Sequence, residues 1–222
     1  MTDVQETFAS TAGQTALPDP IIAAAAPAPE PAPVGNPGLI GVPTFMAGSI
    51  ALGLVLTGFV PATAGGASIP IIMTATGIGQ LLAAIWAAGL AQNAVASIFG
   101  IFTGFWLSYA ALVLGLTHNW FGILPADAQK TQELFLLTWL ILIVLLTLAT
   151  LRLPLAFTVL FVLIDLALLF VYLGTSQPSA SLSKVGGYFV FSFVAVGAYL
   201  FVDSMSSATG GKALPLGSPV IR

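Results

Sequence analysis

The sequence predicts an all-α membrane protein: a six-transmembrane-helix bundle preceded by a disordered, Pro/Ala-rich N-terminal tail. Three observations carry that prediction. Only 6% of the 222 residues are charged, where a soluble domain has roughly 25%, and five Lys plus Arg with eight Asp plus Glu cannot cover a water-facing surface of this size. Hydrophobic residues make up 58% of the chain, and the mean hydropathy is +1.04. Apolar residues also come in unbroken runs of about 20, the number a helix needs to cross a hydrocarbon core about 30 Å thick. Strands of a membrane barrel would alternate polar with apolar at every second position, and lipid offers backbone groups no partner outside a helix or a closed barrel.

The first 35 residues form the tail. Met1 to Gly35 contain Pro18, Pro20, Pro27, Pro29, Pro31 and Pro33, the run Ala23 to Ala26, and the acids Asp3, Glu6, Asp19 and Glu30. Alternating Pro and Ala cannot build a packed core and is expected to stay extended. No Lys or Arg precedes Lys130, so the basic leader of a secretory signal is missing and the tail is expected to be retained.

Six segments follow within a transmembrane domain over 36–206. The first runs from Leu39 to Val60 and stops at Pro61; the second starts near Pro70, a suitable first-turn proline, and ends near Leu90. Ala91 to Asn93 separate it from the third, about Ala94 to Leu116, and the polar stretch Thr117 to Gln132 makes the longest internal loop. The fourth covers about Glu133 to Leu151. Arg152 and Leu153 make a tight reversal before Pro154 opens the fifth, which continues to Leu173, and the sixth spans about Val185 to Met205. A short C-terminal tail over 207–222 closes the chain.

Charge and composition exclude several chemistries. There is no Cys, which removes disulfides, thiolate metal sites and cysteine nucleophiles together. A net charge of -3 with no basic cluster is unsuited to nucleic acid, whose phosphates call for grouped Lys and Arg. An even number of crossings places both termini on one side. That side holds Arg152, Lys212 and Arg222 against Lys130 and Lys184 opposite, which favours cytoplasmic termini.

Few residues could carry chemistry. Asp165 lies in the middle of the fifth segment, where a carboxylate costs about 2.5 to 3.5 kcal/mol on insertion scales. It reads either as a proton-titrating or solute-pathway residue or as a neutral acid bonded to a neighbouring helix. Asp203 lies near the end of the sixth segment and reads as an interfacial anchor. Ala96, Gly100, Gly104 and Ser108 recur every fourth residue in the third segment, a spacing that gathers small side chains on one face for close packing. Neutral polar groups such as Thr44, Gln80, Thr103 and Thr147 can bond back to helix backbones or meet a small polar solute. His118 stands alone in its loop and makes no metal site, while Trp120, Trp139 and Tyr188 read as interfacial aromatics. No Gly-rich phosphate loop, metalloprotease helix or nucleophile elbow is present. No enzyme, metal or cofactor is expected.

Asn36-Pro37-Gly38-Leu39-Ile40-Gly41-Val42-Pro43-Thr44-Phe45 resembles the N-P-[AV]-P-L-G-L-x-x-F signature of the acetate uptake transporter family (the AceTr, YaaH/SatP type), with Leu39 in place of the second proline. Phe102-Thr103-Gly104-Phe105-Trp106-Leu107-Ser108 looks like the family's Y-G-x-F-W-L-[ST]; Thr150-Leu151-Arg152 looks like its T-L-[KR]. Ile164-Asp165-Leu166 lies where many members have L-D-L, and Gly211-Lys212-Ala213-Leu214-Pro215-Leu216-Gly217 is similar to the closing G-R-x-x-L-P-[IL]-G. The resemblance implies a plasma-membrane protomer within a homohexamer that moves acetate and related short-chain monocarboxylates. It also implies an apolar constriction at Phe45, Phe102 and Ile164, with Asn36 and Pro37 placing polar groups at the pathway's mouth.

An apolar neck without a deep cation should pass a carboxylate poorly unless a proton accompanies it, as in symport, or water wets it, as in an anion channel. Asp165, next to Ile164, is the proton-coupling candidate. The competing reading is a non-transporting membrane subunit that binds other membrane proteins through its small-residue helix faces.

Overall fold

The computed structural model describes residues 35–222. The tail expected over 1–35 therefore lies outside the described residues, Gly35 excepted. Those residues form six helices long and apolar enough to cross a membrane, with no strand among them. The first is α1 (Gly38–Thr57). Its start follows from two residues: the Asn36 side-chain oxygen accepts from the Gly38 N–H at 3.0 Å, and Pro37 already has helical angles with its carbonyl bonded to the Gly41 N–H. Asn36 thus caps the helix and Pro37 fills the first turn, where no N–H is missed. Gly58 ends it in the left-handed conformation at φ 86°.

The second crossing spans Thr63–Gly89 and is not uniform. A 3-10 helix, Ala62–Ser68, and a π-helical turn, Ile71–Gly77, precede the regular part, α2 (Ile78–Gly89). The expected start near Pro70 falls inside this crossing, because Pro70 has helical angles and simply continues the turn. After α3 (Asn93–His118) come α4 (Ala128–Ala149), α5 (Leu155–Ser176) and α6 (Ala180–Ala208). The fourth and sixth helices start about one turn before their expected positions near Glu133 and Val185. Polar residues such as Gln129 and Lys130 keep helical hydrogen bonds while reaching past the hydrocarbon, so helix and apolar run do not end together.

The helices form a ring in which α1 packs on α6, α6 on α5, α5 on α4, and α2 on both α1 and α3. The ring closes between α3 and α4 over a shorter stretch, through side chains. There Phe105 meets Trp139 edge to face at 5.4 Å, and Tyr109 meets Phe135 at 6.0 Å. Trp139, which the sequence placed at the interface, lies midway along α4, half-buried at this seam against the Phe105 ring.

Glycine permits the closest approach on the other side. A Cβ on Gly79 of α2 would collide with Thr44 of α1, and one on Gly41 of α1 would collide with the ring of Phe99 on α3. The C-terminal residues fold back along α5 and α6. The Ala156 N–H donates to Leu216 O at 3.0 Å, Tyr199 Oη donates to Pro215 O at 2.8 Å, and Asp203 Oδ1 accepts from the Leu214 N–H at 2.7 Å. Asp203 is thus the clasp for this strap.

Candidate functional site

Three cavities lie in series through the ring. The first, about 170 Å³, opens where α1, α3 and α5 begin and α6 ends, and is lined there by Asn36, Gln92, Leu153 and Ser204. The second, about 80 Å³, lies deeper among Trp106, Ile143, Ile164 and Phe193. A wider vestibule, about 720 Å³, occupies the opposite end, between the 3-10 turn at Thr63–Ala67, the end of α3 and the start of α4. Second cavity and vestibule share Leu56, Tyr109, Phe135, Leu136 and Val171. First and second cavities have two residues in common, Phe45 and Phe102.

Those two rings make the partition. Phe45 on α1 and Phe102 on α3 meet edge to face with centroids 4.9 Å apart; both are buried. Each has a further aromatic neighbour. Phe102 stacks on Phe161 of α5 at 6.2 Å with planes 5° apart, and Phe45 leans on Phe193 of α6 at 5.6 Å. Such pairs add about 0.5–1.5 kcal/mol each beyond their burial, so the partition is held from four helices at once.

The expected site residues divide among these spaces. Asn36 stands at the mouth of the first cavity, beside the buried Pro37. Phe45 and Phe102 come together between the first and second cavities. Ile164, also buried, lines the second cavity just beyond them. The α5 ring in contact with Phe102 is Phe161, which the sequence reading missed; it lies three residues before Ile164 and so on the same helix face. Asp165 lines none of the three cavities. It turns toward α4, where its Oδ2 lies 2.8 Å from Thr147 Oγ1, and its Oδ1 is buried without a partner.

Among the described residues, no Asp, Glu, Lys or Arg lines any of the three cavities. An ionised solute in the first or second cavity would meet no countercharge from them. At the vestibule rim, His118 bonds back to Leu114 O at 3.1 Å. Lys130 and Glu133 pair with each other at 2.6 Å. On the outside of α3, Gly100 faces open space and Gly104 is exposed beside Trp139. The small-residue stripe thus lies on the outer surface of the protomer.

Comparison with known proteins matches the fold. Over 83% of this chain and 100% of the other, the fold superposes on the solved structure of the bacterial acetate channel SatP with a TM-score of 0.73 at 19% identity. The meiotically up-regulated gene 86 protein of Schizosaccharomyces pombe is 32% identical over 174 residues, 71% of this chain and 54% of that protein. Acetate permease A of Emericella nidulans is 29% identical over 169 residues, 69% of this chain and 56% of that protein. The chain thus spans little more than half the length of these curated relatives. Six apolar helices make it a multi-pass membrane protein, and with residues 21–211 matching the family model, the chain belongs to the GPR1/FUN34/yaaH family.

Proposed function

We propose that the protein is a transporter rather than an enzyme, and that it carries acetate and related short-chain monocarboxylates across the plasma membrane through the three cavities in series. The observation that supports this most is the Phe45–Phe102 partition: two buried rings part an uncharged route whose far end widens into a vestibule. The likeness to an acetate channel and an acetate permease points to the solute class. In this reading Asn36 and Pro37 form the mouth, Phe45 and Phe102 the neck, and Ile164 the apolar wall beyond it. Both ends of the described chain lie at the mouth and face the cytoplasm. The protomer assembles into a homohexamer, with the exposed stripe on α3 as a contact.

Proton coupling belongs to the proposal, because an apolar neck without countercharge disfavours a bare carboxylate. Asp165 is the side chain the sequence offers for it. Its place beside Thr147 means that any such role runs through the α4–α5 contact and not through touching the solute. Labelled-acetate flux into proteoliposomes, with and without a pH gradient, tests the function. Uptake above that of protein-free vesicles is expected; none from a folded protein would favour the assembly-subunit reading.

A further inference from the structure

Two buried polar atoms beside the neck have no partner, and their hydrogen-bonding senses are opposite. Gln80 on α2 lines the first cavity and is fully buried. Its Nε2 donates to Gly41 O and to Thr44 Oγ1, the latter at 3.2 Å. These contacts fix which way the amide points. A carbonyl can only accept, and the Thr44 hydroxyl proton is already directed at Ile40 O at 2.8 Å. Gln80 Oε1 is therefore left as a pure acceptor, and it has no donor. On the other side of the neck, Trp106 lines the second cavity at 2% exposure, and its Nε1–H, a donor only, has no acceptor. Its indole lies 6.0 Å from the Phe45 ring.

An unmet buried polar group is costly, so a fold that keeps one on each side of an apolar partition is open to a ligand that meets both. A carboxylate accepts hydrogen bonds but cannot donate one. An undissociated carboxylic acid does both, and its O–H suits Gln80 while its carbonyl oxygen suits Trp106. We propose that Gln80 and Trp106 are the solute-recognising residues on the two sides of the Phe45–Phe102 neck. In this assignment the species handed across is the undissociated short-chain acid.

The inference rests on the transport reading above and deepens it: the proton crosses on the solute itself, its O–H bonded to Gln80 before the neck, and no side chain needs to ionise on the way. Neutrality also removes the desolvation cost that an apolar, uncharged route imposes on an anion.

The full-length protein is tested in proteoliposomes and in planar bilayers, with protein-free membranes subtracted. At fixed total acetate, protein-dependent flux is expected to fall about tenfold for each unit of pH raised between pH 6 and pH 8, following the neutral fraction, and acetate is expected to carry no current. Trp106→Phe keeps an aromatic ring but deletes the donor. It is expected to lower flux about fivefold or more, the worth of one hydrogen bond, while its thermal midpoint stays equal or rises because an unmet polar atom is gone. A purely structural Trp106 would lose stability with flux unchanged. Gln80→Met should also lower flux, with some stability lost through the Gly41 contact. Protein-dependent flux that ignores pH and carries current would leave transport standing and overturn this inference, as would Trp106→Phe with parental flux. Absence of flux from the folded parent at every pH would overturn the transport reading and this inference with it.

Discussion

Thr147 on α4 and Asp165 on α5 share one hydroxyl proton between two demands. Thr147 Oγ1 lies 2.8 Å from Asp165 Oδ2 and 2.9 Å from Ile143 O. The Ile143 carbonyl can only accept, so both contacts are complete hydrogen bonds when the carboxyl itself brings a proton. The same pair is equally well served by an amide.

Asp165→Asn is therefore expected to fold normally and to retain gradient-driven acetate uptake within about twofold, since an amide N–H can donate to Thr147 and the side chain lies off the cavities. The check is flux with and without a pH gradient beside a thermal melt in detergent. Loss of gradient dependence in a well-folded variant would restore Asp165 as the coupling group.

Phe45→Ala should join the first and second cavities. The parent excludes acids too large to pass between two rings in contact, so the variant is expected to admit longer monocarboxylates. Removing a buried Phe costs about 3–5 kcal/mol, and the thermal midpoint should fall as well. An unaltered size limit in a folded variant would show that the partition lies elsewhere.

Gly41 of α1, packed against α3, and Gly100, on the outer face of α3, should respond oppositely. Gly41→Ala forces a Cβ into the Phe99 ring and disturbs the carbonyl that holds Gln80; overpacking of this kind costs about 1–3 kcal/mol. A Cβ at Gly100 meets nothing within 4 Å, so Gly100→Phe is expected to leave helical content unchanged. If the outer stripe is a subunit contact, native mass drops for Gly100→Phe and holds for Gly41→Ala; unchanged mass for Gly100→Phe would remove the stripe from the assembly.

Asp203→Ala should release the C-terminal strap. A hydrogen bond to a charged group is worth about 1.5–3 kcal/mol, and the Leu214 N–H loses its partner. Trypsin is expected to cut after the exposed Lys212 several times faster than in the parent, as read by mass spectrometry. An equal rate would mean that the backbone bond to Leu216 suffices.

The crossings were legible because lipid leaves the backbone only a helix and leaves side chains little choice but to be apolar. Their ends were less so, as at Gln129 and Lys130, where helix continues after hydrophobicity stops. The double start of the second crossing, a 3-10 helix followed by a π-turn, has no hydropathy signature. Phe45, Phe102 and Ile164 were reachable through motif resemblance. Trp106 stood inside the quoted Phe102–Ser108 motif with no role attached, and Phe161 stood outside every motif, because an almost wholly apolar helix does not reveal by its pattern which ring faces the interior. Asp165 drew notice as a charge in the wrong solvent, yet its surroundings are set by α4, which no local pattern around Asp165 discloses. Gln80 was visible only as one amide among many; its orphaned oxygen depends on the glycine-permitted approach of α1 to α2.

The closure between α3 and α4 has a consequence for how this architecture can vary. Where α1 packs on α2, α1 on α6 and α5 on α6, the spacing is set by close approaches at glycines such as Gly79, Gly187 and Gly186, where a Cβ would collide with the neighbouring helix. Between α3 and α4 the spacing is set by the rings of Phe105, Tyr109, Phe135 and Trp139. The bore is thus adjustable at this seam: exchanging an aromatic ring there for a smaller or larger side chain retunes the passage, while the glycine-set contacts keep their register.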